Sequence, residues 1–238
     1  MSVNAALAQT AAPKLSKQRV ALALGLTGPL GEELLAALVG SEAYRMVQVA
    51  VRQPIASATI KFRPWVPGTS HIAADDAFVC VADAATPARP TPIPAYDSAH
   101  LLEAARLAQA AGVRRLVVVA PLSALLQMNA ASHSVSNEQE LALVEMRFET
   151  LLIVRPARDA EAPVGSWLQR TVGALGHAVL DIMLPAQVQA LRPRTAALAI
   201  LTAFARTPSG VQVIGARELA GIVAETMPAL LPKRARLR

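Results

Sequence analysis

The stretch that decides the fold is "RVALALGLTGPLGEELLAALVG", residues 19–40. A run of small apolar residues ends at Gly25, glycines recur at Gly28 and Gly31, and apolar residues then follow at helical spacing. The first glycine allows a sharp exit from a strand, the second allows a ligand to approach the backbone, and the third allows helix and strand to pack closely. The pattern predicts a strand, a glycine turn and a helix, whether the turn binds phosphate or is purely structural.

Short apolar strands alternate with helical segments along the following residues. The predicted strands are 19–25, 46–52, 76–82, 114–120 and 150–156, with a weaker one at 59–66, and the predicted helices are 31–41, 96–112 and 134–147. Pro64 weakens the 59–66 strand, because proline cannot donate to a sheet ladder. This order predicts right-handed β–α–β units and an α/β fold, a Rossmann-type doubly wound parallel sheet.

The residues after Pro156 change in character. Helical patterns cover 166–184 and 194–206, a short strand pattern covers 210–215, and a last helical pattern begins at Ala216. Because this part has no independent set of strands, we expect a small C-terminal helical cap on the same sheet. The expected organisation is one domain over 18–230, with the cap from about 157, a flexible tail at 1–17 and a basic tail at 231–238.

Composition bounds the class of protein. The 238 residues are 53% hydrophobic and 17% charged, which excludes a disordered chain. No apolar run reaches the roughly 18 residues of a membrane span. Cys80 is the single cysteine, which excludes an internal disulfide and fits a buried, inert thiol in a reducing compartment. The first residues carry no secretory pattern, and we expect a cytoplasmic protein.

Basic residues outnumber acidic ones, with a formal net charge of +6. They are scattered except for "KRARLR", residues 233–238, which is either a solvated tail or a site for an anionic partner. Stacking aromatics do not accompany this cluster, so nucleic-acid binding is not expected. The expected partner is a dinucleotide. A small molecule, a protein partner and a second copy in a homodimer are further possibilities.

The end of the second predicted strand indicates which dinucleotide would bind. It reads "AVRQP", residues 50–54, with Arg52 and no acidic residue. An acidic residue at this place holds the ribose hydroxyls of NAD, whereas an arginine suits the 2′-phosphate of NADP(H). The sequence therefore favours NADP(H), and the alternative is a solvated arginine at a strand end.

The glycine turn, "AVRQP", "AARLAQAAGVRRLVVVA" (104–120) and "LLIVRPA" (151–157) together resemble the atypical short-chain dehydrogenase/reductases, in particular the NmrA-like and Tat-interacting-protein-like group. The resemblance implies a Rossmann fold, NADP(H) at the turn and Arg52, and a substrate cleft roofed by the C-terminal helices. The candidate dinucleotide-binding residues are Gly25, Thr27, Gly28, Pro29, Leu30, Gly31, Arg52, Ala82, Ala120, Arg155 and Pro156.

Active members of that superfamily carry a serine after the fifth strand and a Tyr-x-x-x-Lys motif on the next helix. Here Ala120 stands in the serine place with Ser123 nearby, Ser136 stands in the tyrosine place and Glu140 in the lysine place. A serine hydroxyl has a pKa far above that of a phenol, and a glutamate repels phosphate. The hydride-transfer motif is therefore missing.

His133 precedes the same helix and is an acid–base candidate, although a lone histidine in such a loop is more often merely exposed. Ser123, His133 and Ser136 are thus the weak catalytic candidates, and no metal-ligand spacing appears. The proline-rich segment 83–95 is expected to border the nicotinamide side of the cleft, as a lid or a block. Three functions remain: a degenerate NADP(H)-binding sensor or interaction protein, a reductase for carbonyls or quinones with a rebuilt site, or a structural protein with an empty turn.

Overall fold

The computed structural model describes residues 18–57, 59–82, 90–120, 137–156 and 191–226. Within these residues seven strands form one parallel sheet in the order β3-β2-β1-β4-β5-β6-β7. The strands are β1 (Arg19–Leu24), β2 (Tyr44–Ala50), β3 (Phe62–Trp65), β4 (Asp76–Cys80), β5 (Arg115–Val119), β6 (Thr150–Arg155) and β7 (Gly210–Gly215). The predicted Rossmann-type doubly wound sheet is confirmed, with the strand order reversing between β1 and β4.

Helices cover both faces of the sheet. They are α1 (Gly28–Gly40), α2 (Leu101–Ala110), α3 (Asn137–Glu145), α4 (Pro193–Arg206) and α5 (Ala216–Thr226). Leu22 and Leu24 of β1 belong to the apolar cluster on the side of α2 and α3. Ala21 and Ala23 belong to the cluster on the side of α1, α4 and α5. Because the central strands are buried on both faces, their sequences are continuous apolar runs.

The weak third strand predicted at 59–66 is present as β3, at one edge of the sheet. Pro64 lies beside Val49 of β2 in the parallel register. An edge strand has one side without a neighbour, so a missing backbone N–H is tolerated there. The indole N–H of Trp65 donates to the carbonyl of Ser70 (3.0 Å) and holds the loop that follows.

Two helices begin at other residues than their sequence patterns suggest. α1 begins at Gly28, three residues before the predicted start, with Pro29 in its first turn, where a missing N–H is tolerated. The helix predicted from Tyr96 begins only at Leu101, after a 3-10 turn at Ser98–His100. Asp97 caps that turn, since its side chain accepts the His100 N–H. Tyr96 instead forms a parallel β-bridge with Val81, directly after the end of β4.

Residues 191–226 extend the sheet as well as covering it. β7 pairs in parallel with β6, and α4, which precedes β7, packs against α1. α5 packs against α4, so both helices form one layer with α1. The predicted helix 166–184 and the two predicted tails lie outside the described residues.

No helix in the described ranges is long and apolar enough to cross a membrane.

Candidate functional site

The glycine turn joins β1 to α1 at the carboxyl end of the sheet, next to the point where the strand order reverses. Gly25 has φ +68, and a Cβ there would lie 2.6 Å from the carbonyl oxygen of Cys80. A Cβ on Gly31 would lie 2.6 Å from the carbonyl carbon of Leu26. Close packing alone therefore requires glycine at two of the three positions.

Gly28 differs from the other two glycines. Its φ is +72, which favours glycine, yet a Cβ there would meet nothing within 4 Å. Thr27 is the N-cap of α1 without a side-chain capping bond, and the first turn carries no acidic residue. The side chain of Leu30 packs against the core. Only the backbone of Leu30 is therefore expected to face a ligand at the turn. The amino end of α1 thus presents uncapped amides beside open space, a favourable place for an anion.

Arg52 lies two residues beyond the end of β2, and its side chain is exposed. Its backbone N–H donates to the carbonyl of Pro92 (2.8 Å). The described part of the proline-rich segment therefore lies beside Arg52, on the adenosine-ribose side of a Rossmann crevice. The predicted position on the nicotinamide side is wrong for these residues. Sequence shows that the segment follows β4, but not which way it turns before the chain returns.

Residues 90–96, which we name the strap, run from the end of β2 to the end of β4. At the β4 end the N–H of Ala82 donates to the carbonyl of Tyr96 (2.6 Å). The Cδ2 atom of the Tyr96 ring lies 2.9 Å from the Cβ position of Gly25. Tyr96 is a site-lining residue that the sequence pattern placed in a helix, and only its position just before the Asp97 cap signals otherwise.

The far end of the site contains the candidates that follow β5 and β6. Ala120 is buried and its N–H donates to the carbonyl of Val154 (2.9 Å). Arg155 forms an ion pair with Glu140 of α3, and their side chains are 24% and 20% exposed. Arg155 therefore offsets the negative charge of Glu140, the residue that stands where the Tyr-x-x-x-Lys motif has its lysine. Fifteen residues separate the partners on a helix and a strand, so sequence spacing gave no sign of this pair.

Neither tyrosine of the chain has the surroundings of a catalytic one. Tyr44 lies at the amino end of β2, where its hydroxyl donates to Asp76 (2.8 Å). Burial, followed by the negative charge of Asp76, raises the pKa of Tyr44. Burial and the charge of Glu103 raise the pKa of Tyr96. A tyrosine that transfers protons near neutral pH needs the opposite shift.

The catalytic candidates Ser123, His133 and Ser136 lie outside the described residues. Pro156 is buried directly after β6. Within the described ranges no group of three histidine, cysteine, aspartate or glutamate side chains is arranged to hold a metal ion. The described site therefore consists of an anion-favouring turn, an arginine at the end of β2 and a neutralised ion pair at the end of β6.

No protein-family model matches the chain, and no curated protein matches it. Solved structures that resemble it include a nucleoside-diphosphate-sugar epimerase from Staphylococcus aureus, 12% identical with a TM-score of 0.48, over 82% of this chain and 70% of that chain. A short chain dehydrogenase from Burkholderia cenocepacia in complex with NADP is 17% identical with a TM-score of 0.42, and the match covers 92% of this chain and 98% of that chain. An enzyme from Bordetella bronchiseptica in complex with NAD is 13% identical with a TM-score of 0.43, and the match covers 92% of this chain and 82% of that chain.

Proposed function

We propose that this chain binds NADP(H) at its glycine turn and acts as a sensor or interaction protein rather than as a hydride-transferring reductase. The observation that carries the proposal is the open space over Gly28, beside the uncapped first turn of α1. A structural turn needs the packed glycines Gly25 and Gly31, but it needs no free volume at Gly28. The residues present thus fit a pyrophosphate.

The phosphate charges are stabilised by main-chain groups in this proposal. The amides of the first turn of α1, apart from Pro29, point toward the carboxyl end of the sheet, where the helix dipole also favours negative charge. Glu32 and Glu33 follow this first turn, since α1 begins at Gly28. No acidic side chain of the first turn therefore competes with the ligand.

Arg52 supports the choice of NADP(H) over NAD(H). Its side chain is exposed beyond β2, where the ribose of the adenosine half lies in a Rossmann crevice. A guanidinium there forms charge-assisted hydrogen bonds with a 2′-phosphate, and no acidic residue in 50–54 is present to bind the 2′-hydroxyl instead.

The proton-transfer residues do not support a reductase. Bound NADPH supplies a hydride, but its transfer to a carbonyl also requires a proton donor. The chain has no lysine between Lys61 and Lys233, and its two tyrosines have raised pKa values. Glu140, in the lysine place, is held by Arg155 and is not free to orient a ribose. These residues support binding without turnover.

The Arg52→Asp variant tests the cofactor assignment. We expect the Kd for NADPH to rise by about 10- to 100-fold, because the charge-assisted bonds to the 2′-phosphate are lost, while the Kd for NADH stays within about threefold. Separate titrations, one of NADPH fluorescence and one of NADH fluorescence, measure the two Kd values. The matched control is Arg45→Asp, an exposed arginine near the opposite end of β2, which should change neither Kd.

If Arg52→Asp raised the Kd for NADPH and the Kd for NADH by the same factor, the 2′-phosphate assignment would be contradicted. The wild-type protein should also leave NADPH unoxidised when carbonyl and quinone substrates are added. Steady turnover in that assay would favour a reductase with a rebuilt site over a sensor.

A further inference from the structure

The strap, residues 90–96, crosses the carboxyl end of the sheet within the region assigned to the dinucleotide. One of its contacts is at the end of β2, where Pro92 accepts the Arg52 N–H, and another is at the end of β4, where Tyr96 accepts the Ala82 N–H. β1 lies between these two strands, and its glycine turn meets the ring of Tyr96. The chain itself therefore occupies the part of the crevice beyond the ends of β2 and β4.

Two further interactions hold the middle of the strap. Ile93 is partly buried and packs against the apolar cluster to which Val51 and Leu26 belong. The hydroxyl of Thr91 accepts the Ile93 N–H (3.1 Å) and closes a turn within the strap. Pro92 stands between them with its side chain exposed. The Ile93 side chain thus anchors the strap to the core, directly after the residue that accepts the Arg52 N–H. In a Rossmann crevice this end of β2 borders the adenosine half of a dinucleotide.

The opening over Gly28 contrasts with this covered region. Gly28 has nothing within 4 Å of its Cβ position, whereas Gly25 is in contact with the strap through Tyr96. The phosphate end of the crevice is therefore open in the same structure in which the strap lies across its adenosine end. A dinucleotide needs both ends at once.

We infer that the strap is an internal competitor for the adenosine half of the dinucleotide. This inference rests on the proposed binding of NADP(H). When the adenosine binds, the Pro92 carbonyl leaves the Arg52 N–H and Ile93 leaves the apolar cluster. The apparent affinity for NADPH is then the intrinsic affinity multiplied by the fraction of molecules whose strap is open. The contacts of Ile93 and Thr91, which set this fraction, therefore set the response of a sensor.

Shortening the strap's apolar anchor tests this competition. Ile93→Ala removes buried contacts from the closed state alone and should lower the Kd for NADPH about three- to tenfold, because a larger fraction of molecules is open. Thr91→Ala removes only the hydroxyl that accepts the Ile93 N–H within the strap and leaves the apolar core unchanged. It should also lower the Kd for NADPH. The control is Ile60→Ala, because Ile60 is 100% exposed and lies before β3.

Hydrogen exchange of the Arg52 amide without ligand gives a second readout. In both strap variants the exchange should be faster than in the wild-type protein and in Ile60→Ala, because the bond to Pro92 opens more often. Faster exchange together with a lower Kd for NADPH is the expected result.

A Kd for NADPH that is unchanged or higher in the strap variants overturns the inference, because Ile93 and Thr91 would then support the bound state or play no part. Unchanged exchange of the Arg52 amide in both variants also overturns it. If NADPH binds the wild-type protein in either case, the proposed function still holds. If NADPH binds none of the four proteins, the proposed function fails, and the inference fails with it.

Discussion

The three glycines of the turn have different physical roles. Gly25 and Gly31 are fixed by neighbouring backbone atoms at 2.6 Å from their Cβ positions, and Gly28 faces open space. The same sequence motif thus combines two positions that close packing restricts to glycine with one that faces open space and that we propose for the ligand. The spacing of the glycines predicts the turn, but only the surroundings of each glycine separate the two roles.

We expect Gly31→Ala to lower the free energy of unfolding by about 1–3 kcal/mol, because its Cβ would overlap the backbone of Leu26. This loss should outweigh the gain in helix propensity. Urea denaturation measures it, and Gly40→Ala in the same helix is the control. A Cβ at Gly40 meets nothing within 4 Å, so that variant should be unchanged or stabilised by up to about 1 kcal/mol. Equal effects of the two substitutions would contradict the packing argument.

At the scale of secondary-structure elements, a buried polar cluster joins the amino ends of four strands. Asp76 of β4 accepts from Tyr44 of β2 and pairs with Arg19 of β1 at 3.3 Å. Arg115 of β5 lies 3.8 Å from the same carboxylate and stacks over Phe204 of α4 at 4.1 Å from the ring centroid. The cluster fixes the end of the sheet opposite the glycine turn.

Tyr44→Phe should lower the free energy of unfolding by about 1.5–3 kcal/mol, because a buried carboxylate loses its hydroxyl donor while the aromatic packing is kept. Chemical denaturation checks this value. The control is Tyr96→Phe, since the Tyr96 hydroxyl makes no hydrogen bond within the described residues. The Kd for NADPH should stay at the wild-type value in Tyr44→Phe. A large change in Kd would show that this cluster is coupled to the candidate site.

The strands and most helices follow from local patterns, which is why the sequence predicts the sheet. Continuous apolar runs identify β1, β4, β5 and β6, and Pro64 correctly weakens β3, which lies at the sheet edge. The start of α2 is not predicted correctly, because the apolar pattern runs through Tyr96 while the cap at Asp97 interrupts it. Capping and strand pairing decide such boundaries, and both depend on the local backbone.

The candidate site is predicted less completely than the sheet. The glycine turn and Arg52 are local signals at the ends of predicted strands. The contact between Pro92 and Arg52 and the ion pair between Glu140 and Arg155 join distant parts of the chain. Such contacts depend on the path of a loop and on the rotation of a helix, and neither is encoded in the spacing of residues.

At the scale of the whole molecule, the strand order brings the elements of the candidate site to one end of the sheet. The parallel sheet places the ends of β1, β2, β4, β5 and β6 along one edge, with the reversal between β1 and β4 beside the glycine turn. The strap lies across this edge, and the polar cluster of Asp76 stabilises the other. The proposed binding at one end and the stability at the other should therefore be separable by mutation.

The central claim is that the backbone around Gly28 binds the phosphates of NADP(H). The most direct measurement is a titration of NADPH fluorescence with the wild-type protein, Gly28→Asn and Gly28→Asp. Asparagine and aspartate both tolerate a positive φ and fit the open space, so the two variants differ in charge alone. We predict binding to the wild-type protein, and a Kd for Gly28→Asp at least about tenfold above that for Gly28→Asn. The same Kd in all three proteins, or no binding to the wild-type protein, would contradict the account.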